Sequence, residues 1–159
     1  MWGIVGIDFG TTNTLCSWMD GETPVIVPNA RGERATPSVV ALSGAGELLV
    51  GSSARNQALV DPDTAIFGVK RVLGRHDHRW MPGVTASAED AAAAILDRVR
   101  RDASRFLGFD ISSAVITVPA RFGDPQRKAV REAARRAGLR TERIINEPSA
   151  AALARAWSA

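Results

Sequence analysis

The chain is poor in the features that would take it out of a reducing, water-filled compartment. It has one cysteine, Cys16, in 159 residues, which rules out an intramolecular disulfide and makes the cytoplasm the expected location. Nowhere do about 18 apolar residues run together, and no basic segment precedes the short apolar N-terminal run that Asp8 interrupts, so neither a membrane span nor an export signal is predicted. Charge of one sign is also scarce. The formal net charge of +3 is too small to define a nucleic-acid surface, although the calculated pI is near 10.0. Arg98, Arg100, Arg101 and Arg105 on one helix, and Arg127, Arg131, Arg135 and Arg136 on another, are accompanied by acidic residues and apolar stripes, and read as solvated faces. No nucleic-acid partner and no membrane are expected.

Chemistry-bearing residues are similarly few. The two histidines, His76 and His78, lack the further ligands of a metal centre, and no serine lies in a G-x-S-x-G context. Cys16 alternates within a strand and reads as a buried structural thiol. Only Lys70 and Lys128 among the 20 basic residues are lysines, so a lysine in this chain suggests a need for a compact ammonium.

What is present is globular: 45% apolar and 23% charged residues, enough for one domain with a real core. Strands are predicted over Trp2–Ile7, Thr14–Met19, Val25–Val27, Ser38–Leu42 and Leu48–Val50, with short helices around Ser53–Leu59 and Ala65–Leu73 and a loop over Arg75–Val84. The second half alternates. An S-x-x-D signal at Ser87 opens a helix through Leu107 with Ile95, Val99, Ala103 and Phe106 on one face, and a strand follows at Ala114–Val118. Asp124 is the predicted cap of a helix begun by Pro125 and buried along Ala129, Val130, Ala133, Ala134 and Ala137. A strand at Arg143–Asn146 and a helix from about Pro148, with no stop signal before Ala159, complete an α/β chain with a mixed sheet and helices behind it.

The most informative stretch is Ile4-Val5-Gly6-Ile7-Asp8-Phe9-Gly10-Thr11-Thr12-Asn13, a strand running into a tight turn and then a second strand. Gly10 can take positive φ or bring the backbone close to an anion, and the amides and hydroxyls of Thr11, Thr12 and Asn13 can donate to phosphate oxygens. Asp8 at the lip would face phosphates only through a hydrated Mg²⁺. A Walker loop needs a lysine and a following helix, neither of which is here. Lys70, in Phe67-Gly68-Val69-Lys70, offers a point charge suited to a γ-phosphate or an attacking water. Glu147 falls where a strand turns into a helix, the end of an α/β sheet where ligands bind.

With these residues in view, the chain resembles the nucleotide-binding domain of the seventy-kilodalton heat-shock chaperones, the DnaK-type stress-response family. The likeness is carried by Gly6 to Asn13, by Asn29-Ala30-Arg31-Gly32-Glu33-Arg34-Ala35-Thr36-Pro37-Ser38, by Phe67 to Gly74, and by Ala114-Val115-Ile116-Thr117-Val118-Pro119-Ala120 with Arg143 to Leu153. It implies a ribonuclease-H-like, actin-like ATPase fold of which residues 1–159 are the first lobe: a mixed five-stranded sheet packed by helices, with a reduced small subdomain. It implies ATP or ADP with Mg²⁺ as cofactors, Asp8 near the metal through water, Gly10, Thr11, Thr12 and Asn13 around the phosphates, and Lys70 and Glu147 with Asp8 as the catalytic set. Pro119, Arg127 and Glu147 would pass nucleotide state onward, and Arg143, Asn146 and Ser149 would lie where an interdomain linker docks. The parent would be a chaperone ATPase with unfolded-peptide clients and co-chaperones. The second phosphate turn, the second lobe and the peptide-binding domain have no counterpart here, so the fragment alone is expected to bind ATP weakly and to turn it over negligibly.

Departures are specific. Arg121 stands where the family usually has an aromatic, Gly123 where it has Asn, and Arg75–Ala86 replaces a longer segment. An actin-like scaffold lobe using nucleotide as a structural ligand shares the opening turn, as does a sugar kinase, for which no sugar ligands can be placed.

Overall fold

The computed structural model describes residues 3–75 and 86–157. The main sheet is built from β1 (Gly3–Phe9), β2 (Asn13–Asp20) and β3 (Thr23–Val27), joined by later strands β8 (Ile111–Val118) and β9 (Arg140–Asn146). The order is β3-β2-β1-β8-β9. The first three strands are antiparallel neighbours, whereas β8 joins β1 and β9 joins β8 in parallel. The parallel half requires crossovers, and two helices supply them: α2 (Ala88–Leu107) before β8 and α3 (Asp124–Arg136) between β8 and β9. A two-residue strand, β4 (Thr36–Pro37), adds to β2. This antiparallel-then-parallel order is the ribonuclease-H-like arrangement that defines an actin-like ATPase first lobe.

A second sheet stands apart, β6 (Leu48–Val50) to β5 (Val39–Leu42) to β7 (Ala65–Phe67), covered by α1 (Ser52–Val60). Two of the five strands predicted in the first half therefore belong to this smaller sheet. The main sheet completes its five-strand path with β8 and β9 instead. The helix predicted over Ala65–Leu73 is not formed. Ile66 pairs with Val40 in β7, Gly68 then takes a left-handed φ of 65°, and only a 3₁₀ turn at Val69–Arg71 follows. Strand pairing and one glycine override a short helical period. The predicted loop at Arg75–Val84 and both histidines fall almost wholly outside the described residues.

Alternation explains the core. In β1, Val5, Ile7 and Phe9 point inward, and β8 buries Ile111, Ser113, Ala114, Ile116 and Val118. Against them pack Ile95, Leu96, Val99 and Ala103 of α2 and Ala129, Val130, Ala133 and Ala134 of α3. Small residues on α3 let the helix approach closely. Phe106, expected on the buried face of α2, is 55% exposed, and it is Leu107 beside it that packs against the core. Cys16 is buried, and burial pushes its thiol up to about 12, in keeping with a structural rather than a reactive cysteine.

Both helix starts follow local chemistry. Ser87 caps α2 by accepting the Asp90 amide at 3.1 Å, while the Asp90 carboxylate accepts the Ser87 amide at 2.9 Å. In α3 the capping position is Gly123 rather than Asp124, and the Gln126 side chain accepts the Gly123 amide at 3.1 Å.

Arg136 of α3 joins the two helices, donating to Asp90 of α2 at 2.5 Å and to Glu132 of its own helix at 2.8 Å. Hydrogen bonds from Arg135 and Arg136 hold Glu132 at about 2, against an ordinary value of 4.5. Burial pushes Asp90 upward, but the Ser87 amide and hydroxyl and Arg136 outweigh it, so the net direction is downward. Both carboxyls are depressed on folding, so their contribution is present above the unfolded values and is lost as pH falls through the folded ones. We expect the urea midpoint to fall progressively from about pH 4.5 toward pH 2, and Glu132→Gln to flatten part of that slope. Parallel slopes for the two proteins would contradict this assignment.

Candidate functional site

The site forms where the β1–β2 turn, the 3₁₀ turn carrying Lys70 and the ends of β8 and β9 converge. β1 stops at Phe9, the Gly10 amide donates back to the Asp8 carbonyl at 3.0 Å, and the chain reverses into β2 with Phe9 opposite Thr14. Glycine at position 10 is required by space rather than by dihedral angle. Its φ is not positive, but a Cβ there would lie 2.1 Å from the Asn13 carbonyl oxygen.

The turn is pinned by Ser38, which lies between β4 and β5 and which sequence reasoning did not assign to the site. Its hydroxyl donates to the Gly10 carbonyl at 2.8 Å, its amide donates to the Thr12 carbonyl at 2.8 Å, and its oxygen lies 2.9 Å from the Thr14 hydroxyl. Ser38 and Thr14 are both buried. The Thr-Pro-Ser segment was visible in the sequence, but the reach across 28 positions to Gly10 was not.

Asp8 is exposed at the C-terminal end of β1 and lies level with Thr117 of β8, whose hydroxyl donates to Asp8 Oδ1 at 2.8 Å. Thr117 orients the carboxylate, a second role sequence reasoning missed. The strand ending at Val118 was visible, but its pairing level with β1 was not.

Lys70 and Glu147, 77 positions apart, meet at 2.5 Å between Nζ and Oε1. The Lys70 side chain is only 3% exposed, with its ammonium Nζ 5.9 Å from the ring centroids of Phe9 and Phe122, a cation–π arrangement. Glu147, the first residue of α4 (Glu147–Trp157), is 42% exposed. Arg127 donates to the Asn146 side chain at 2.6 Å and to the Phe122 carbonyl at 3.0 Å, tying α3 to the end of β9. Pro119 lies just beyond β8, near Lys70, and Arg143 is on β9. Ser149 is in the first turn of α4, and no hydrogen bond from it to the other coupling candidates is seen among the described residues.

A cleft of about 270 Å³ opens beside the turn, lined by Thr11, Thr12, Asn13, Ser38, Arg55 and Arg71. Hydroxyls, turn amides and two guanidinium groups suit an oxyanion. No group of three or more metal-ligating side chains occurs among the described residues. That donor set fits Mg²⁺, which keeps most of its water and takes one or two carboxylates together with phosphate oxygens. Asp8 presents an exposed carboxylate at the end of β1, oriented by the Thr117 hydroxyl.

An exposed carboxylate at a strand end, a threonine turn and a buried lysine on this sheet order define one lobe of an actin-like ATPase. The family model described as Hsp70 protein matches the chain over residues 4–82 and 78–156. The chain belongs to the Hsp70 family, and it is an ATP-binding lobe of the chaperone type. The two matched stretches meet inside Arg75–Ala86, the segment that departs from the family pattern. Members of the family generally bind ATP and ADP with Mg²⁺ and act on clients together with co-chaperones. No helix among the described residues is long and apolar enough to cross a membrane.

Proposed function

We propose that residues 1–159 are the N-terminal lobe of a DnaK-type chaperone, holding one half of a nucleotide site whose other half comes from a second lobe. The observation that carries this reading is the Lys70–Glu147 contact beside the threonine turn, at the same end of the sheet as Asp8: Asp8 pairs with Thr117 of β8, and Glu147 follows β9, the next strand along. In this reading Thr11, Thr12 and Asn13 donate to phosphate oxygens while Gly10 lets the turn close. Lys70 neutralises charge at the transferring phosphoryl group, and Glu147 orients water and holds Lys70 in place. Mg²⁺, when bound through water at Asp8, supplies charge neutralisation between the carboxylate and the phosphates.

The need for a second lobe is supported by α4. It contains no buried residue, and Leu153 and Trp157 are 64% and 65% exposed. An apolar helix face of that kind is a surface for another folded unit. Pro119, Arg127, Asn146 and Ser149 lie around the same end of β8, β9 and α4, with Arg143 in the middle of β9, and in this reading they pass nucleotide state to a peptide-binding domain. With only one lobe contributing contacts, affinity is low and hydrolysis negligible. A cytoplasmic location, unfolded-peptide clients and co-chaperone partners belong to the same reading.

Titration of the isotope-labelled chain with Mg·ATP tests it. We expect saturable amide shifts at Thr11, Thr12, Lys70 and Glu147 with roughly millimolar affinity and no measurable phosphate release. Shifts confined to another face would sink the nucleotide assignment, and micromolar affinity with turnover would sink the half-site clause.

A further inference from the structure

Between β3 and β4 the chain makes a loop, residues 28–35, that Asn29 organises. Its side-chain oxygen accepts the Arg31 and Glu33 amides at 2.9 and 3.0 Å, and its side-chain amide donates to Glu33 Oε2 at 2.8 Å. The Glu33 carboxylate so held is met from α1 by the Ser52 hydroxyl, which lies 2.9 Å from Oε2 and 3.2 Å from Oε1. Among the described residues these are the only side-chain hydrogen bonds that α1 makes to another element. They serve a helix start that has no cap of its own. Gly51, at the capping position, has no side chain to offer, its φ of 75° favours glycine there, and the first turn of α1 holds no acidic residue. A carboxylate brought from the preceding loop supplies the negative charge that a helix N-terminus favours.

The two faces of the small sheet give this contact its consequence. Val40 of β5 and Ile66 of β7 pack into the main core, whereas Val39, Ala41 and Ala54 form a separate small core under α1. The helix therefore sits on the opposite face of β5 from the main core, and Glu33 ties it to the loop that leaves the main sheet. Hydrogen bonds from Asn29 and then Ser52 hold the Glu33 carboxyl below its ordinary value of 4.5 against the opposing effect of burial, and Arg31 and Arg55 act in the same direction. One turn beyond Ser52, Arg55 lines the nucleotide cleft, together with Phe67 of β7 and Arg71. Thr11, Thr12 and Asn13 line it from the main sheet. The cleft thus has one wall on each sheet.

We infer that Glu33 is a positioning residue of this site: through Ser52 it fixes α1 and the small-sheet wall against the threonine turn, and so sets the opening of the cleft. Its effect on nucleotide rests on the reading given under Proposed function; its hold on the orientation of the two sheets does not.

Residual dipolar couplings of the labelled chain test the orientation without nucleotide. In the wild type one alignment tensor should fit the amides of both sheets. In Glu33→Ala and in Ser52→Ala, the amides of α1, β5 and β7 should keep their own geometry yet require a second tensor. Mg·ATP should bind each variant at least about threefold more weakly, as expected when a charge-assisted contact that orders one wall is lost. Arg31→Ala removes only an exposed ion pair to Glu33 at 3.7 Å, and should keep the single tensor and change affinity less than about twofold. A contact that merely stabilises the fold would lower the urea midpoint and leave the couplings of the folded chain unchanged. A single tensor in either variant, or a second tensor with unaltered Mg·ATP affinity, would overturn the assignment; should Glu33→Ala fail to fold, Ser52→Ala decides. A wild type that binds no Mg·ATP removes the nucleotide reading, and the couplings alone then decide whether Glu33 holds the small sheet.

Discussion

Gly10→Ala should destabilise the chain by about 2–4 kcal/mol and abolish nucleotide-induced shifts at Thr11 and Thr12. The added methyl would sit 2.1 Å from the Asn13 carbonyl oxygen, a separation no side chain can relieve because both groups are backbone. The turn would have to open, and opening it strains three further contacts. Ser38 holds the Gly10 and Thr12 carbonyls, and Thr14 holds Ser38, so displacement of the turn loads the edge of the small sheet as well. Urea unfolding gives the stability change, and the nucleotide titration gives the functional one. A variant within about 0.5 kcal/mol of the wild type would show that the turn relaxes without cost and that its tightness is not what the glycine provides.

The second large effect concerns Lys70 and Glu147. Removing the carboxylate alone, as in Glu147→Ala, leaves an ammonium that is 3% exposed without its partner. For a fully buried pair the penalty would be several kcal/mol. Because Glu147 is 42% exposed, solvent screens the pair and a loss of about 1–2 kcal/mol is expected. Lys70→Met should cost less, since a thioether can occupy the space between Phe9 and Phe122 without a charge to compensate. The double variant should then be close to Lys70→Met alone, giving a coupling of about 1–2 kcal/mol in a thermodynamic cycle. Additive losses would mean that the contact is incidental. In the two-lobed protein proposed above, Lys70→Met should lower single-turnover hydrolysis by about 10²–10³-fold while changing ATP affinity far less, the signature of charge stabilised in the transition state. An equal loss in binding would place Lys70 in ground-state recognition only.

Much of this arrangement is legible along the chain, and the failures share a cause. The alternation of Val5, Ile7 and Phe9, the Ser87–Asp90 signal, and the alanine stripe of α3 each depend on neighbours within a few positions, and each is found where the local pattern puts it. Lys70 is different. Its segment has a helical period, yet Ile66 is claimed by Val40 and Gly68 breaks the run, so the side chain arrives from a 3₁₀ turn. The contribution of β7 to a second sheet depends on β5, more than 20 positions away, and cannot be seen in a window. Ser38 and Thr117 were missed for the same reason. Their hydrogen bonds span 28 and 109 positions, and an isolated hydroxyl does not announce a distant acceptor. Phe106 shows the converse, a residue in phase with the buried stripe yet exposed, while its neighbour Leu107 packs against the core.

The Ser38 contacts also give the turn an electrical sense. Two of its carbonyl oxygens, those of Gly10 and Thr12, are occupied by the serine hydroxyl and amide, and a third, that of Asn13, is directed against Gly10. No acceptor among the described residues engages the amides of Thr11 and Thr12. The negative ends of these peptide dipoles are thus engaged within the fold, while the Thr11 and Thr12 amides are left without a protein acceptor in a turn that lines the cleft. A loop of neutral residues in this arrangement discriminates by sign before any arginine or metal takes part, repelling bare cations and admitting anions.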